Sequence, residues 1–120
     1  MNEKTLQLLD RTFYFGVNTL KFLKNLPDDQ IYRVVKLQVA RSSGSIGANY
    51  EEAQGASSKK DFNHRINISY REARESVYWL RILRELYDEA IHKESFDKYI
   101  QEANELKKIF ASIKLSSQKE

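Results

Sequence analysis

Basic and aromatic side chains recur at helical spacing in the second half of the chain. Arg71, Arg74 and Arg81 follow one another three or seven residues apart, with His64 and Tyr78 interleaved on the same side of a helix. A guanidinium group offers phosphates a planar fork of N–H donors, and a tyrosine ring offers a nucleobase a stacking surface. The pattern therefore predicts a surface that contacts nucleic acid.

The same spacing also fits an ordinary solvated helix face. Glu75 and Glu85 lie four residues after Arg71 and Arg81, so each arginine has a predicted ion-pair partner along the helix. For a single copy of the chain this alternative is favoured. In a ring of several copies the basic stripe would repeat around an axis and focus its electrostatic field, which favours nucleic-acid binding.

A second polar set shares a helix face with apolar residues earlier in the chain. Its members are Gln38, Ser42, Ser45, Asn49 and Glu52, with Arg41 at the edge of the face. Buried polar groups are costly unless they are hydrogen-bonded, and Glu72 and Glu75 on the next helix are natural partners for Arg41. We therefore expect a structural polar network that fixes the register of the two helices. A ligand cleft and a plain surface are the alternatives.

Residues for catalysis or metal binding are sparse. The chain has no cysteine, and neither histidine belongs to a recognisable nucleophile-and-base arrangement. Glu89 and His92 have the Glu-x-x-His spacing of di-iron bundles, but that chemistry requires a second such motif and two further glutamates on other helices. The sequence predicts no enzyme activity, no catalytic residue, no cofactor and no metal site.

Four long helices are predicted to position these groups. They cover approximately residues 5–25, 28–53, 59–87 and 95–116. Pro27 suits the first position of the second helix, and Ser58 with Asp61 resembles a capping box at the start of the third. Because the connections are short, we expect an all-α, up-down-up-down antiparallel four-helix bundle that forms a single domain over residues 1–120.

The second predicted helix contains a run of poor helix formers, Ser42-Ser43-Gly44-Ser45, with Gly47 just after it. At about 1 kcal/mol for each glycine and about 0.5 kcal/mol for each serine, this run costs roughly 3–4 kcal/mol relative to alanine. Tertiary packing must offset that cost. We expect the backbone of a neighbouring helix to approach closely here.

The first predicted helix is apolar on two nearly opposite sides. One stripe contains Leu6, Leu9, Phe13, Val17 and Leu20, and the other contains Leu8, Phe15, Phe22 and Leu26. A chain this small has too few helices to cover both stripes. We therefore expect self-association, with the second stripe and Trp79 of the third helix as the candidate oligomer interface.

Composition places the chain among soluble globular proteins. Of its 120 residues 41% are hydrophobic and 31% charged, and the formal net charge is +3. No apolar run approaches the roughly 20 residues that span a bilayer, and the N-terminus lacks a signal-peptide pattern. These features, with the lack of cysteine, lead us to expect a cytoplasmic protein without membrane partners.

Two long blocks of the sequence resemble a known family. The run QVARSSGSIGANYEEA, from Gln38 to Ala53, is similar to the signature of the 23S rRNA intervening-sequence proteins. The runs Lys59–Phe62 and Tyr70–Leu80 continue the resemblance, which covers essentially the whole chain. The resemblance implies a small four-helix bundle that assembles as a ring, typically a homopentamer. A relative is the accessory variability determinant of diversity-generating retroelements, a pentameric barrel that binds a reverse transcriptase and nucleic acid.

Residues and resemblance together favour a non-enzymatic oligomer that associates with RNA or another nucleic acid through Arg71, Arg74, Arg81, His64 and Tyr78. The alternative is an adaptor ring that engages a partner enzyme, such as a reverse transcriptase, without a direct nucleic-acid role.

Overall fold

The computed structural model describes residues 1–119 and contains four long α-helices. They are α1 (Glu3–Leu23), α2 (Gln30–Gln54), α3 (Lys59–Leu86) and α4 (Lys93–Gln118), and a short 3₁₀ helix at Ala90–His92 precedes α4. Every helix bound lies within two residues of its predicted position. No β-strand occurs among the described residues, and the all-α prediction is confirmed.

The backbones of α1 and α2 approach each other closely at their small residues. A Cβ atom added to Gly16 would lie 3.6 Å from the Cα atom of Gly44, and one added to Gly47 would lie 3.1–3.3 Å from atoms of Thr12. The prediction of a close helix approach at the serine- and glycine-rich run is confirmed. Residue numbers rise along one helix as they fall along the other, so α1 and α2 are antiparallel.

Hydrogen bonds made by side chains show that α2 and α3 are antiparallel too. The hydroxyl of Tyr32 donates to the carbonyl oxygen of Leu86 over 2.9 Å, and the Ser76 hydroxyl donates to the Ser42 hydroxyl over 2.9 Å. At the last pair of helices, Arg84 Nε lies 2.8 Å from Asp97 Oδ1.

The opposite ends of α3 and α4 also meet, because the Ser117 hydroxyl donates to the Asn63 side-chain oxygen. Each helix therefore runs against the one before it. The predicted up-down-up-down bundle is confirmed.

Side-chain caps set where the helices begin. Asp29, rather than Pro27, is the cap of α2, and its carboxylate accepts a backbone N–H from the first turn over 3.0 Å. The proline therefore lies in the turn and not at the first helical position, which corrects that prediction. The Ser58 hydroxyl accepts the Asp61 backbone N–H over 3.0 Å, as the predicted capping box requires. The Asp61 carboxylate accepts the backbone N–H of Ser57 rather than that of Ser58, so the box forms only in part.

The core is built from aromatic and aliphatic side chains of all four helices. Its largest fully buried members are Phe96, Phe110, Ile46, Ile66, Leu80, Leu83 and Leu106. Within residues 1–119, no helix has an apolar stretch long enough to cross a lipid bilayer.

The buried side of α1 is the one that was predicted to form the oligomer interface. Phe15, Phe22 and Leu26 are only 4%, 6% and 5% exposed, and Leu8 packs half-buried against the core. The assignment of this stripe to a subunit interface is wrong. Helix α4 covers this stripe, since the ring of Phe22 packs against those of Phe96 and Tyr99 with centroid distances of 4.9 and 5.0 Å.

The other apolar stripe of α1 faces outward. Leu6, Phe13 and Leu20 are 51%, 60% and 47% exposed. On α2, Leu37 is also exposed, and its place on the helix puts it beside this stripe on the outer side of the seam between the two helices. We call these four side chains the α1/α2 apolar face.

Candidate nucleic-acid interface

The predicted basic stripe lies on the outer side of α3. His64, Arg71, Arg74 and Arg81 are exposed, and Tyr78 keeps 56% of its surface accessible. The opposite side of the helix is buried and carries small residues and leucines, which fixes the rotation of α3 in the bundle. We call these five exposed side chains the α3 basic face.

The ion pairs that would have neutralised this face are not formed. Among residues 1–119, no carboxylate oxygen lies within 4.0 Å of the basic atoms of Arg71, Arg74 or Arg81. Glu85 instead lies 4.0 Å from Arg84, and Glu75 accepts a hydrogen bond from an indole N–H over 3.3 Å. The guanidinium groups of Arg71, Arg74 and Arg81 are therefore accessible to an external anion.

The aromatic side chain at the centre of the face is held in position. The ring of Trp79 packs perpendicular to that of Tyr78, with 5.2 Å between centroids and 81° between planes. The indole N–H donates to the Glu75 carboxylate, which fixes Trp79 in turn. An exposed ring that is already ordered loses little conformational entropy when a flat partner stacks on it.

A groove of about 870 Å³ runs beside Tyr78, between α3 and α4. Aliphatic side chains of both helices, such as Val77 and Ile100, line part of it, and Arg81 lies at its α3 side. The α4 side contributes Asn104 and Lys107. The groove therefore combines an apolar floor with cationic and amide groups at its edges.

The predicted polar network of α2 forms only in part. Arg41 and Glu52 are exposed, Gln38 is half-buried, and these three side chains make no hydrogen bond among the described residues. Arg41 has no ion pair within 4.0 Å with Glu72 or Glu75. Their assignment to a buried network is therefore wrong. The buried face of α2 is rotated toward α1, because the small residues of α2 let that helix approach.

Serines make the buried polar contacts between α2 and α3. The fully buried Ser76 bonds to Ser42, and the Ser69 hydroxyl donates to the backbone carbonyl of Ile46 over 2.9 Å. Both bonds cross the seam and tie the register of the helices. Ser42 belongs to the polar set predicted on α2, whereas its partner Ser76 could have been found as a small polar residue at helical spacing after Ser69.

Asn49 is a further predicted network member whose side chain takes part in a contact, whereas Ser45 contributes only its backbone carbonyl. The Asn49 amide donates to the Ser45 carbonyl oxygen over 2.9 Å, and Arg65 donates to the Asn49 side-chain oxygen over 3.2 Å. The arginine partner of this half-buried asparagine is thus Arg65, not Arg41.

Glu72 is half-buried on the seam between α2 and α3. Desolvation by burial, reinforced by the nearby Glu75 carboxylate, raises the pKa of Glu72, while the positive charges of Arg41 and Arg71 oppose the rise. The carboxyl is therefore less readily ionised than one in water.

The Glu-x-x-His motif lies at the turn before α4. His92 packs its ring against Phe22 and Tyr87, with centroid distances of 5.7 and 5.3 Å. Glu89 accepts a hydrogen bond from the Tyr87 hydroxyl over 3.2 Å. No group of three or more histidine, cysteine or acidic side chains within residues 1–119 is arranged to hold a metal ion.

Two features of α4 were not anticipated from the sequence. Arg11 of α1 donates two hydrogen bonds to Glu102, of 2.8 and 2.6 Å, and one to Glu105 of 3.0 Å. The groove residues Asn104 and Lys107 lie three residues apart, and this spacing was visible in the sequence. Asn104 and Lys107 become part of a site only because α3 packs beside them.

Fold and site together define a small antiparallel four-helix bundle whose third helix presents an exposed basic face. Residues 4–112 match the family described as 23S rRNA-intervening sequence protein. The chain belongs to this family.

A solved structure is similar along nearly the whole chain. It is the crystal structure of a protein of unknown function from the S23 ribosomal protein family of Bacteroides thetaiotaomicron. The two chains are 34% identical, and the match covers 92% of this chain and 96% of the other, with a TM-score of 0.80. No curated protein sequence matches the chain.

Proposed function

We propose that the protein is a non-enzymatic homo-oligomer that associates with RNA or another nucleic acid through the α3 basic face. The observation that carries this proposal is the exposure of Arg71, Arg74 and Arg81 without carboxylate partners within 4.0 Å among the described residues. Arginines in this state bind phosphate oxygens through charge-assisted hydrogen bonds without first breaking an internal ion pair.

The distribution of charge supports the same surface. Helix α3 carries seven basic and four acidic side chains, which gives this helix a net charge of +3, equal to the formal net charge of the whole chain. Electrostatic attraction is therefore concentrated on α3 rather than spread over the molecule.

Self-association is proposed through the α1/α2 apolar face. Phe13, Leu6 and Leu20 are large apolar side chains exposed together on one helix, which is unusual for a protein that remains a monomer. Gly44 lies on the same outer side, with no atom within 4 Å of the position of an added Cβ, so a second copy has room to approach. Family resemblance suggests a ring of five subunits.

The proposal is tested by measuring binding to an RNA hairpin with a single-stranded flank over a range of salt concentrations. We expect affinity to fall steeply with salt, because bound counterions are released when arginines neutralise phosphates. The double variant Arg71→Ala, Arg74→Ala should weaken binding and reduce the salt slope by about two.

The matched control is Lys21→Ala, Lys24→Ala, which removes the same charge from exposed positions at the end of α1. It should leave binding nearly unchanged. Absence of binding at low salt by the intact oligomer would contradict the proposed function, as would equal effects of the two double variants.

An adaptor that engages a partner enzyme, such as a reverse transcriptase, is the second candidate function. A further exposed apolar group favours it, since Ile31 and Val34 of α2 are 63% and 57% exposed and Trp79 and Leu86 lie on the adjoining side of α3. Side chains of this kind are typical of protein interfaces. The adaptor predicts a specific protein in a pull-down that resists nuclease treatment and depends on Val34 but not on Arg71.

A further inference from the structure

The groove between α3 and α4 extends the α3 basic face onto a second helix. The contact of Arg84 with Asp97 and that of Asn63 with Ser117 set the register of the two helices. In this register Asn104 of α4 lies at the level of Tyr78, and Lys107 lies about one helical turn away, on the opposite side of Asn104 from Asp97.

The carboxylates that line the groove lie at one of its ends. At one end Asp97 and Glu85 both lie beside Arg84, at 2.8 and 4.0 Å. Arg81 lies one helical turn from Arg84, and Lys107 lies toward the other end of the groove. Neither has a carboxylate oxygen within 4.0 Å among residues 1–119. Two cations on different helices are thus available to an anion on either side of the Tyr78 ring.

We propose that this groove receives an unpaired nucleotide of a single-stranded nucleic acid. The base stacks on Tyr78, the side-chain amide of Asn104 faces the edge of the base, and the adjacent phosphates contact Arg81 and Lys107. This inference rests on the proposed function and specifies which form of nucleic acid the α3 basic face binds.

The chemistry of the groove favours an unpaired nucleotide over a duplex. Bases within a duplex are stacked on one another and cannot place a face against a protein ring, whereas bases in loops and single strands can. The apolar floor near Val77 and Ile100 and the ordered ring of Tyr78 would add nothing to the binding of phosphates alone. An aromatic ring between two cations instead matches the alternation of base and phosphate in a single strand.

The experiment compares a short single strand with a blunt duplex of the same sequence, both as RNA and as DNA. The single strand carries 2-aminopurine, whose fluorescence falls when the base stacks. We expect tighter binding of the single strand, quenching on binding, and about a tenfold loss of affinity and loss of quenching in Tyr78→Ala. Tyr78→Phe keeps the ring and should bind within about twofold of the wild type. The RNA and DNA arms show whether the 2′-hydroxyl matters.

Helix α4 offers a matched pair of variants. Lys107→Gln should weaken binding of the single strand and lower the salt slope by about one. Lys108→Gln removes the same charge one residue away, outside the groove lining, and should have little effect. Circular dichroism checks that each variant remains helical.

The outcomes separate this inference from the proposed function. If binding depends on Arg71 and Arg74 but the duplex binds as well as the single strand, and Tyr78→Ala changes nothing, the groove inference is overturned and the proposed function stands. If neither nucleic acid binds at low salt, both are overturned. A further test adds polyglutamate as a competitor. If polyglutamate displaced the single strand from Tyr78→Ala as readily as from the wild type, the result would indicate an acidic protein partner and overturn the groove inference.

Discussion

Glycines in α2 serve different purposes although they lie three residues apart. At Gly47 an added Cβ would meet Thr12 at 3.1–3.3 Å, and one of the atoms it meets is a backbone carbon that cannot move without moving α1. At Gly44 an added Cβ would meet nothing within 4 Å. Packing within the subunit therefore requires Gly47 but not Gly44.

Gly47→Ala should destabilise the protein by about 1–2 kcal/mol, because overpacking against α1 outweighs the gain in helix propensity. Gly44→Ala is the matched control and should stabilise it by up to about 1 kcal/mol, because it gains propensity without a clash. Urea unfolding of both variants measures the difference. If the two substitutions had the same sign, the close approach of α1 and α2 would not be the reason for Gly47.

Glu72 links protonation to stability. Burial and the Glu75 charge raise the pKa of Glu72 in the folded state, so folding favours the protonated form. A carboxyl of this kind supports stability fully below its unfolded pKa of about 4.3, and that support is lost as the pH rises through the folded value. The stability of the wild type relative to Glu72→Gln should therefore fall as the pH is raised from acid to neutral.

Urea unfolding at a series of pH values measures this trend. Glu51→Gln removes the same charge from an exposed position on α2 and corrects for the change in net charge. If the difference in stability between the wild type and Glu72→Gln did not depend on pH, the raised pKa of Glu72 in the folded state would be contradicted.

At the scale of helices, the seam between α1 and α4 differs from the other three. Helix α1 packs closely on α2 but more loosely on α4. Arg11 spans the α1–α4 seam with a bidentate pair to Glu102 and a further bond to Glu105. The hydrogen bond from Gln101, together with that from Arg11, lowers the pKa of Glu105. Aromatic contacts of Phe22 with α4 hold the other end of the same seam.

A double-mutant cycle with Arg11→Met and Glu102→Gln should give a coupling energy of about 1 kcal/mol, because the bidentate geometry is good and the pair is partly shielded from water. The coupling should weaken as salt is added. The pair of Arg33 with Asp28 is the control, since its side chains are 67% and 70% exposed, and its coupling should be much smaller. Equal coupling at both pairs would show that Arg11 does not hold the seam.

The whole molecule presents different chemistry on opposite sides. The α1/α2 apolar face lies on one side of the bundle, and the groove between α3 and α4 lies on the other, because the helices follow one another around the bundle. Self-association through the first side would leave the second accessible. Several copies of the α3 basic face would then bind one nucleic acid with greater avidity than a single copy.

Phe13→Ser combined with Leu20→Ser should lower the mass measured by light scattering, because these substitutions remove exposed apolar area without disturbing the buried stripe of α1. Leu115→Ser is the control, since Leu115 is also exposed, at 61%, but lies near the end of α4 and outside the α1/α2 apolar face. It should leave the mass unchanged. A wild-type monomer at micromolar concentration would contradict self-association through this face.

The sequence by itself determined the helices, their approximate ends and the residues that share a face. The cap at Ser58, the spacing of Arg71, Arg74 and Arg81, and the two stripes of α1 are local properties, set by a rotation of about 100° per residue along a helix. They could be predicted because no other part of the chain is needed to define them.

Only the tertiary structure decided which of these faces is buried and which groups meet. Both stripes of α1 have the same periodicity, yet Phe22 of one stripe packs on Phe96 and Tyr99 of α4 while Phe13 of the other is 60% exposed. The rotation of α2 toward α1 leaves Arg41 in solvent and brings serines to the seam with α3. Burial depends on which neighbouring helix can approach most closely, and that is a property of pairs of helices that no single periodicity contains.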